Sequence, residues 1–300
     1  RPTADARRPD AAGRANSHAG DGMRWAARLS VVLGAVACAG AALAFQRPFR
    51  EYPGMEYNDF PLPSDHREQT EFVFSRLMHP DSLGSFGRFR RGRQRGDWTQ
   101  GYAWWTNDYP RADRHLLTAL RRLTRVHARS VEQPVNLDDG DDVFNWPFLY
   151  ANVNSFSLTE PQIVKLREYL MRGGFLVCDD VWGEDAWNNF MATMSRVFPG
   201  RSPEEIEDHE PVFHAVYNLE QRYQIPGEWS LRSGVPYLAG GVVPHWRALY
   251  DEKGRMSVSM WVNNDTADSW EWADSPRYPE RYSALGIRIA VNHIVYALTH

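Results

Sequence analysis

Two adjacent carboxylates, Asp179 and Asp180, directly follow a short apolar segment, residues 175–178, that predicts a strand buried on both faces. Ligands of open α/β sheets bind beyond the carboxyl ends of the strands, so a site is expected at this position. Such carboxylates can hold a divalent cation, or share a proton and so acquire different pKa values. The alternative is that one caps the following helix and the other is solvated. We take the pair as the candidate catalytic residues.

A second polar cluster stands at the start of a helix predicted over residues 108–124, where Asp108 suits the N-cap and Pro110 the first turn. Helix N-termini bind anions, and two arginines would strengthen such binding. The alternative is that Asp108 is a cap only, and that Asp113 and its neighbour are surface charges. The candidate ligand-binding residues are Asp108, Arg111, Arg114, His115 and Trp182.

Other reactive side chains give weaker indications. Cys178 lies in the apolar segment, and a nucleophilic thiol would need an activating base and an exposed turn, so a buried inert thiol is expected. His209 and His214 fit no standard zinc spacing, and phosphate-binding glycine loops, dinucleotide fingerprints and GxSxG motifs are absent from the sequence. No cofactor is evident, and a divalent metal is the group that the carboxylates could hold.

Tryptophan is frequent, with 12 in the chain, and many lie in segments expected to be loops. Aromatic rings in loops can stack on sugars or form recognition surfaces, which favours a carbohydrate ligand or a protein partner. They can equally pack long loops onto the domain. The sequence leaves both interpretations open.

The elements that must position these residues alternate between strand and helix. Strands are predicted at residues 70–78, 126–131, 148–153, 175–178, 246–250 and 256–262, and helices at 108–124, 159–172, 184–197 and 283–298. Thr159 and Gln162 form a capping box at the start of the second helix. This alternation predicts an α/β fold with a doubly wound, mainly parallel, flavodoxin-like sheet and helices on both faces.

The first part of the chain has the layout of a secretory signal. We expect residues 1–22 to be a disordered upstream extension before a start at Met23, and residues 23–44 to be a signal peptide or membrane anchor. Residues 45–69 form a leader rich in proline and aromatics, and residues 70–300 a single domain. The protein is therefore expected to be exported to the periplasm or another extracytoplasmic space, and residues 29–45 are its one expected membrane attachment.

Composition supports a globular exported domain. Hydrophobic residues make up 43% of the 300-residue chain, which is enough for a full core. The net charge is −4, and residues 1–44 contain more Arg than Asp, so the remainder is more acidic than the whole. An acidic domain argues against nucleic acid as the main partner.

Several motifs together resemble the bacterial domain of unknown function family 4159 (DUF4159), from about residue 70 to the C-terminus. They are residues 108–115 (DYPRADRH), 129–132 (RSVE), 136–139 (NLDD), 172–176 (RGGFL), 179–180 (DD), 211–214 (PVFH) and 278–284 (YPERYSA). The resemblance implies a fold similar to class I glutamine amidotransferases and to ThuA-like sugar-utilisation proteins. It also implies that Asp179 takes the place of a histidine of ThuA-like proteins, whereas Cys178 falls one position before the amidotransferase nucleophile.

Two function classes follow. The first is recognition of a carbohydrate ligand or an envelope protein by a domain without amidotransferase machinery. The second is a carboxylate- or metal-dependent hydrolase acting on an envelope sugar or related substrate, with Asp179, Asp180 and Asp108 as metal ligands or acid/base groups. The enzyme hypothesis requires Asp108 and the Asp179–Asp180 pair to converge in the folded chain.

Overall fold

The computed structural model describes residues 47–57, 59–82 and 97–300, so the expected signal segment and upstream extension lie outside the described residues. The strands are β1 (Ser75–Met78), β2 (Gln133–Asn136), β3 (Phe148–Asn152), β4 (Phe175–Val181), β5 (Glu204–Glu205), β6 (His245–Tyr250) and β7 (Met256–Val262). The helices are α1 (Arg111–Leu123), α2 (Glu160–Met171), α3 (Gly183–Val197), α4 (Glu228–Ser233), α5 (Thr266–Glu271) and α6 (Glu280–Thr299).

These strands form one sheet in the order β2-β1-β3-β4-β7-β6-β5. The pairs from β2 through to β7 are parallel, whereas β6 and β5 add to the edge in antiparallel fashion. The parallel part therefore has the 2-1-3-4-5 order of flavodoxin-like doubly wound sheets, with β7 as the fifth strand. The expected mainly parallel α/β sheet is confirmed.

Helices cover both faces of this sheet. Leu116 and Leu120 of α1 share one core with Ile289 and Ile294 of α6. On the opposite face, α2 and α3 bury their apolar stripes in a second core, which includes Leu166. Each fully buried leucine contributes about 1.5–3 kcal/mol by leaving water, so the two stripes fix the helices against the sheet.

Local signals set the limits of α2. Thr159 Oγ1 accepts the backbone N–H of Gln162, and the Gln162 side chain accepts the N–H of Thr159, so the predicted capping box is confirmed. After the helix the ring of Tyr169 occupies the space that a Cβ at Gly174 would need. Glycine is thus required where the chain turns from α2 into β4.

The strand predicted at residues 126–131 is wrong. In this segment Ala128 makes a single bridge to Phe72, and the strand forms later, at β2. Pro134 in β2 makes that stretch a poor strand by composition. The proline is tolerated because β2 lies at the edge of the sheet and pairs only with β1. On the side of β2 that faces away from β1, no neighbouring strand requires a backbone hydrogen bond.

The start of α1 also differs from the prediction. Pro110 is the N-cap residue, and the Asp108 side chain caps no helical N–H. Asp108 instead has φ +61°, in the left-handed region, and one of its carboxylate oxygens lies within 4.8 Å of oxygens of Asp265 and Asp268. The side chain that sequence reasoning assigned to the helix is therefore available to another site.

The leader is part of the domain surface. Residues 47–300 form one compact unit, and the leader lies against α1 and the loop before it. Tyr52 N–H donates to the Tyr109 hydroxyl, and Met55 N–H donates to Thr106 Oγ1. Within the described part of the chain, we find no helix whose length and apolar character would let it span a bilayer.

Candidate metal centre

Five carboxylates meet at the carboxyl edge of the sheet in two groups that share one member. One carboxylate oxygen from each of Asp108, Asp265 and Asp268 lies within 4.8 Å of the other two, and the same holds for Glu56, Asp108 and Glu271. Ca²⁺ and Mg²⁺ bind oxygen at about 2.0–2.6 Å, so oxygens bound to one ion lie no more than about 5 Å apart. We call these five residues the acidic centre.

Three short segments supply the acidic centre. Asp265, Asp268 and Glu271 follow one another at three-residue spacing in and just before α5, which places them on one side of that helix. Asp108 stands between β1 and α1, and its backbone N–H donates to Glu56 Oε2 at 3.0 Å. Glu56 comes from the leader, so the centre is completed by a segment outside the sheet.

Burial makes this cluster electrostatically costly. Burial and the charge of Asp268 raise the pKa of Glu271 to about 10, and burial raises the pKa of Asp108 well above its usual range. Burial, followed by the charge of Asp268, also raises the pKa of Asp265 well above normal. Among the described residues, no ion pair within 4.0 Å includes a carboxylate of the acidic centre.

Asp108 has an unsatisfied oxygen. The residue is 1% exposed, and its Oδ1 accepts one hydrogen bond from Asn107 Nδ2 at 2.8 Å. Its Oδ2 is buried and receives no hydrogen bond from any of the described residues. Buried polar atoms are nearly always paired, and burying an unpaired charge is costly, so this oxygen indicates a ligand that the protein does not itself provide.

A glycine backbone packs directly against the acidic centre. A Cβ at Gly227 would lie 2.5 Å from Asp265 Oδ2 and 2.9 Å from Asp268 Oδ2. The next residue, Glu228, donates its backbone N–H to Asp268 Oδ2 at 2.6 Å. The start of α4 therefore holds two of the carboxylates in place without a side chain.

Asp179 positions the helix that carries the acidic centre. Its carboxylate accepts the backbone N–H of Thr266 at 3.2 Å and of Ala267 at 2.8 Å, at the start of α5. The Tyr150 hydroxyl donates to it at 3.1 Å. Burial, only partly offset by these donors, raises the pKa of Asp179 to about 6. The cap considered from sequence exists, but on α5 rather than on the next helix in the chain.

Asp180 lies beside the acidic centre in a strained backbone conformation with φ +69°. Asn152 and Asn154 donate to its Oδ2 at 3.2 and 3.1 Å, and Trp182 Nε1 donates to its Oδ1 at 2.8 Å. Burial and the charge of its neighbour raise the pKa of Asp180 to about 7. The charge of Asp180 in turn contributes to raising the pKa of Asp108, so the two predicted carboxylate sites interact electrostatically.

Arg111 and His115 contact the border of the acidic centre rather than its carboxylates. Arg111 donates to the Tyr57 hydroxyl at 3.0 Å and to Asp274 Oδ1 at 2.7 Å. The Tyr57 hydroxyl in turn donates to Glu271 Oε1. His115 Nδ1 lies 3.0 Å from a backbone carbonyl oxygen of α5. These side chains link α1 to the leader and to α5.

Arg114 fastens the leader to α1. It donates to the backbone carbonyls of Phe60 and Pro61 at 3.0 and 3.2 Å and forms ion pairs with Glu51 and the buried Glu132. The guanidinium is 4% exposed. The N–H groups of Arg114 are therefore paired with acceptors of the protein itself. These contacts hold the leader, which carries Glu56, against α1.

Asp113, expected as a surface charge, is fully buried. It forms a two-point ion pair with Arg76, at 2.6 and 2.8 Å, and both side chains are 0% exposed. Arg76 also donates to the backbone carbonyls of Trp105 and Asn107. The surface interpretation is wrong because α1 turns this side chain toward β1, where an arginine already lies in the core.

The other side chains singled out in the sequence are not members of the acidic centre. Cys178 is fully buried, and burial raises the pKa of its thiol well above normal, so the expected buried thiol is confirmed. Trp105, Trp146 and Trp270 are buried as packing residues, whereas Trp229 in α4 is 56% exposed. Two surface cavities of about 580 and 450 Å³ are lined by other residues than the acidic centre.

Sequence reasoning did not identify four members of the acidic centre. Asp265, Asp268 and Glu271 follow the strand predicted at residues 256–262, which is the same signal that singled out Asp179. The rule that sites lie beyond the carboxyl ends of parallel strands could have found them, had that strand been placed in the parallel part of the sheet. Glu56 gave no such signal, because it lies in an irregular leader.

The comparisons with known proteins agree with the motifs noted in the sequence. No curated protein matches the chain at a significant level. The family model described as "Domain of unknown function (DUF4159)" matches residues 97–298. The matched part includes Asp108, the carboxylates Asp179 and Asp180 of β4, and the three acidic residues in and just before α5, whereas Glu56 precedes it. Because this match covers about two thirds of the sequence, the chain belongs to the DUF4159 family.

Proposed function

We propose that this domain binds a divalent cation in the acidic centre and is a metal-dependent hydrolase. The observation that supports the proposal best is the convergence of buried carboxylates around Asp108, whose Oδ2 has no partner within the described protein. A divalent cation supplies the positive charge that such a cluster requires. Protons compete with the cation, because burial raises the pKa of Asp108 and of Glu271 and so favours their protonated forms.

The ligand set favours a hard cation. All five side chains offer carboxylate oxygens, and neither thiol nor imidazole belongs to the two groups. Oxygen-only sites suit Mg²⁺, Ca²⁺ and Mn²⁺, whereas zinc prefers sulfur and nitrogen. The inner group of Asp108, Asp265 and Asp268 is the first position for the ion, because α4 and α5 hold its carboxylates from both sides.

A cation here could activate water for hydrolysis. When bound, it would lower the pKa of a water ligand and polarise the substrate oxygen. Asp180, with a pKa near 7, is the neighbouring carboxylate suited to accept the water proton and return it to the leaving oxygen. The chain itself holds Asp180 in place through Asn152, Asn154 and Trp182.

An envelope sugar derivative is the substrate class we propose. Trp229 is more than half exposed and directly follows Glu228, whose N–H contacts the acidic centre. An exposed indole beside a catalytic site can stack on a sugar ring. The leader sequence that predicts export supports an extracytoplasmic substrate. The same indole would serve the recognition function expected from sequence if the cation only anchors a ligand.

We further propose that the fold is of the amidotransferase-like or ThuA-like type. Its support is the 2-1-3-4-5 order of the parallel strands and the irregularity near the end of β4, where Asp180 has φ +69°. By the resemblance noted in the sequence, the nucleophile position of such a fold is taken by the carboxylate Asp179. The proposed chemistry therefore relies on the cation rather than on a covalent intermediate.

Calorimetric titration of chelator-treated protein with Mg²⁺, Ca²⁺ and Mn²⁺ tests the proposal. We expect saturable binding, of which the Asp265→Asn/Asp268→Asn variant loses the part that belongs to the inner group. A matched control is Glu204→Gln/Glu207→Gln, which removes the same charge from an exposed acidic surface and should bind normally. Binding that is absent in the parent, or equal in both variants, contradicts the proposal. Cation-dependent release of product from acetylated or phosphorylated sugars tests the hydrolase part.

A further inference from the structure

We propose that the acidic centre holds two divalent cations bridged by Asp108, an inference that rests on the proposed cation binding. The inner position is the group Asp108, Asp265 and Asp268, and the outer position is the group Glu56, Asp108 and Glu271. Asp108 is the one residue common to both groups. A carboxylate has two oxygens, so it can bind one ion with each.

The hydrogen bonds of Asp108 leave it free for this role. Its Oδ2 is buried without a donor, and its Oδ1 receives a single bond from Asn107. A carboxylate oxygen has two lone pairs, so Oδ1 can accept that bond and still bind an ion. The backbone at Asp108 is left-handed, with φ +61°, and its carboxylate makes no capping hydrogen bond to α1. A residue needed only as a helix cap would not require this arrangement.

Charge balance favours a second ion. When cations displace the protons from all five carboxylates, these carry a charge of −5, and one divalent cation would leave −3 at a site in which Asp108, Asp265 and Glu271 are buried. The nearest donor at the outer group is the Tyr57 hydroxyl, which contacts Glu271 and is neutral. Arg111 lies one step farther, behind Tyr57, and pairs with Asp274. A second cation would reduce the remaining charge to −1.

The two positions differ in exposure. Glu56 is exposed, and it belongs to a leader rather than to the sheet, so the outer position opens toward solvent. Asp265 is 8% exposed and is covered by the start of α4, so the inner position is enclosed. Paired metal ions about 3.5–4 Å apart clamp the attacking and leaving oxygens of an ester. The outer ion would therefore contact the substrate. The substrate class that we infer is a sugar esterified with a carboxylic or phosphoric acid.

Manganese stoichiometry tests this inference. The chelator-treated full chain is titrated with Mn²⁺, free ion is followed by electron paramagnetic resonance, and bound metal is counted after gel filtration. We expect two Mn²⁺ per chain, with a spin-coupled signal from the bridged pair. The Glu56→Gln/Glu271→Gln variant should lose the outer ion and retain one uncoupled Mn²⁺. The Asp265→Asn/Asp268→Asn variant should lose the inner ion and likewise retain one Mn²⁺.

The outcomes separate the two proposals. One Mn²⁺ in the parent refutes the second position and leaves the proposed function standing, whereas none refutes both. Two uncoupled ions, or two ions retained in the Glu56→Gln/Glu271→Gln variant, would show that Asp108 does not bridge. If a variant fails to fold by circular dichroism, the count and coupling in the parent decide the matter alone.

Discussion

A single methyl group at Gly227 should damage the acidic centre without removing any ligand. Gly227 has φ −65° and ψ 156°, which alanine adopts without strain, so the backbone itself tolerates the Gly227→Ala change. The added Cβ would stand 2.5 Å from Asp265 Oδ2, whereas ordinary contact begins at 3.4 Å. The carboxylate must therefore move by about 0.9 Å, and that of Asp268, at 2.9 Å, by about 0.5 Å.

These shifts exceed what a metal site tolerates. Ligand distances in such sites vary by about 0.2 Å, so a displacement of this size removes or weakens two inner ligands. Changes to groups that orient metal ligands typically cost 10- to 100-fold in affinity. We expect Gly227→Ala to weaken cation binding by about that factor, which corresponds to about 1.4–2.7 kcal/mol.

Isothermal titration of the chelator-treated variant with Mn²⁺ measures this effect. Val235→Ala is the control, because that side chain is exposed in the loop after α4 and should leave the dissociation constant unchanged. Circular dichroism checks that Gly227→Ala remains folded. An unchanged dissociation constant in a folded Gly227→Ala protein would refute our account of how α4 supports the acidic centre.

Three further predictions concern the surroundings of the centre. The pKa of Asp180 is raised from 3.8 to about 7, so the native state holds its proton more tightly than the unfolded state. This contribution to stability is complete below pH 4 and is lost as pH rises through 7. In urea unfolding with chelator, the free energy of unfolding of the parent should therefore fall by about 3 kcal/mol more than that of Asp180→Asn between pH 5 and 8. An equal pH dependence in the two proteins would contradict this prediction. The Cys178 thiol is buried and its pKa is raised, so an alkylating reagent at pH 8 should modify it only after unfolding. Mass spectrometry of the peptides measures this. Rapid labelling of the native protein would contradict the burial of Cys178. Arg76→Met should destabilise the fold by about 3–5 kcal/mol because it leaves Asp113 buried and unpaired, and a loss below about 1 kcal/mol in denaturant unfolding would contradict that reasoning.

The fold was largely predictable because its signals are local. The capping box at Thr159, the apolar segment of β4 and the turn between β6 and β7 each specify an element from neighbouring residues. β2 was not predictable in this way, since Pro134 and the polar residues around it are acceptable only at an edge that tertiary structure creates. Edge position is a property of the sheet and not of the segment.

The position of the site could be predicted from the sequence, but most of the residues that form the acidic centre could not. The pair Asp179–Asp180 was placed at the correct edge of the sheet by the general rule for α/β proteins. The acidic centre, however, joins Glu56 to Glu271, and such long-range convergence leaves no periodic trace in the sequence. Helix propensity likewise assigned Asp108 to α1, whereas its left-handed backbone directs it to the cluster.

The most direct test of the central claim is an anomalous difference map from a crystal soaked in Mn²⁺. We expect a peak at about 2.0–2.6 Å from carboxylate oxygens of Asp108, Asp265 and Asp268, which marks the inner ion. A second peak between Asp108 and Glu271 would mark the outer ion. A map from a saturating soak with no peak at the acidic centre, or with peaks only on exposed acidic surface, would contradict the claim that this cluster binds metal.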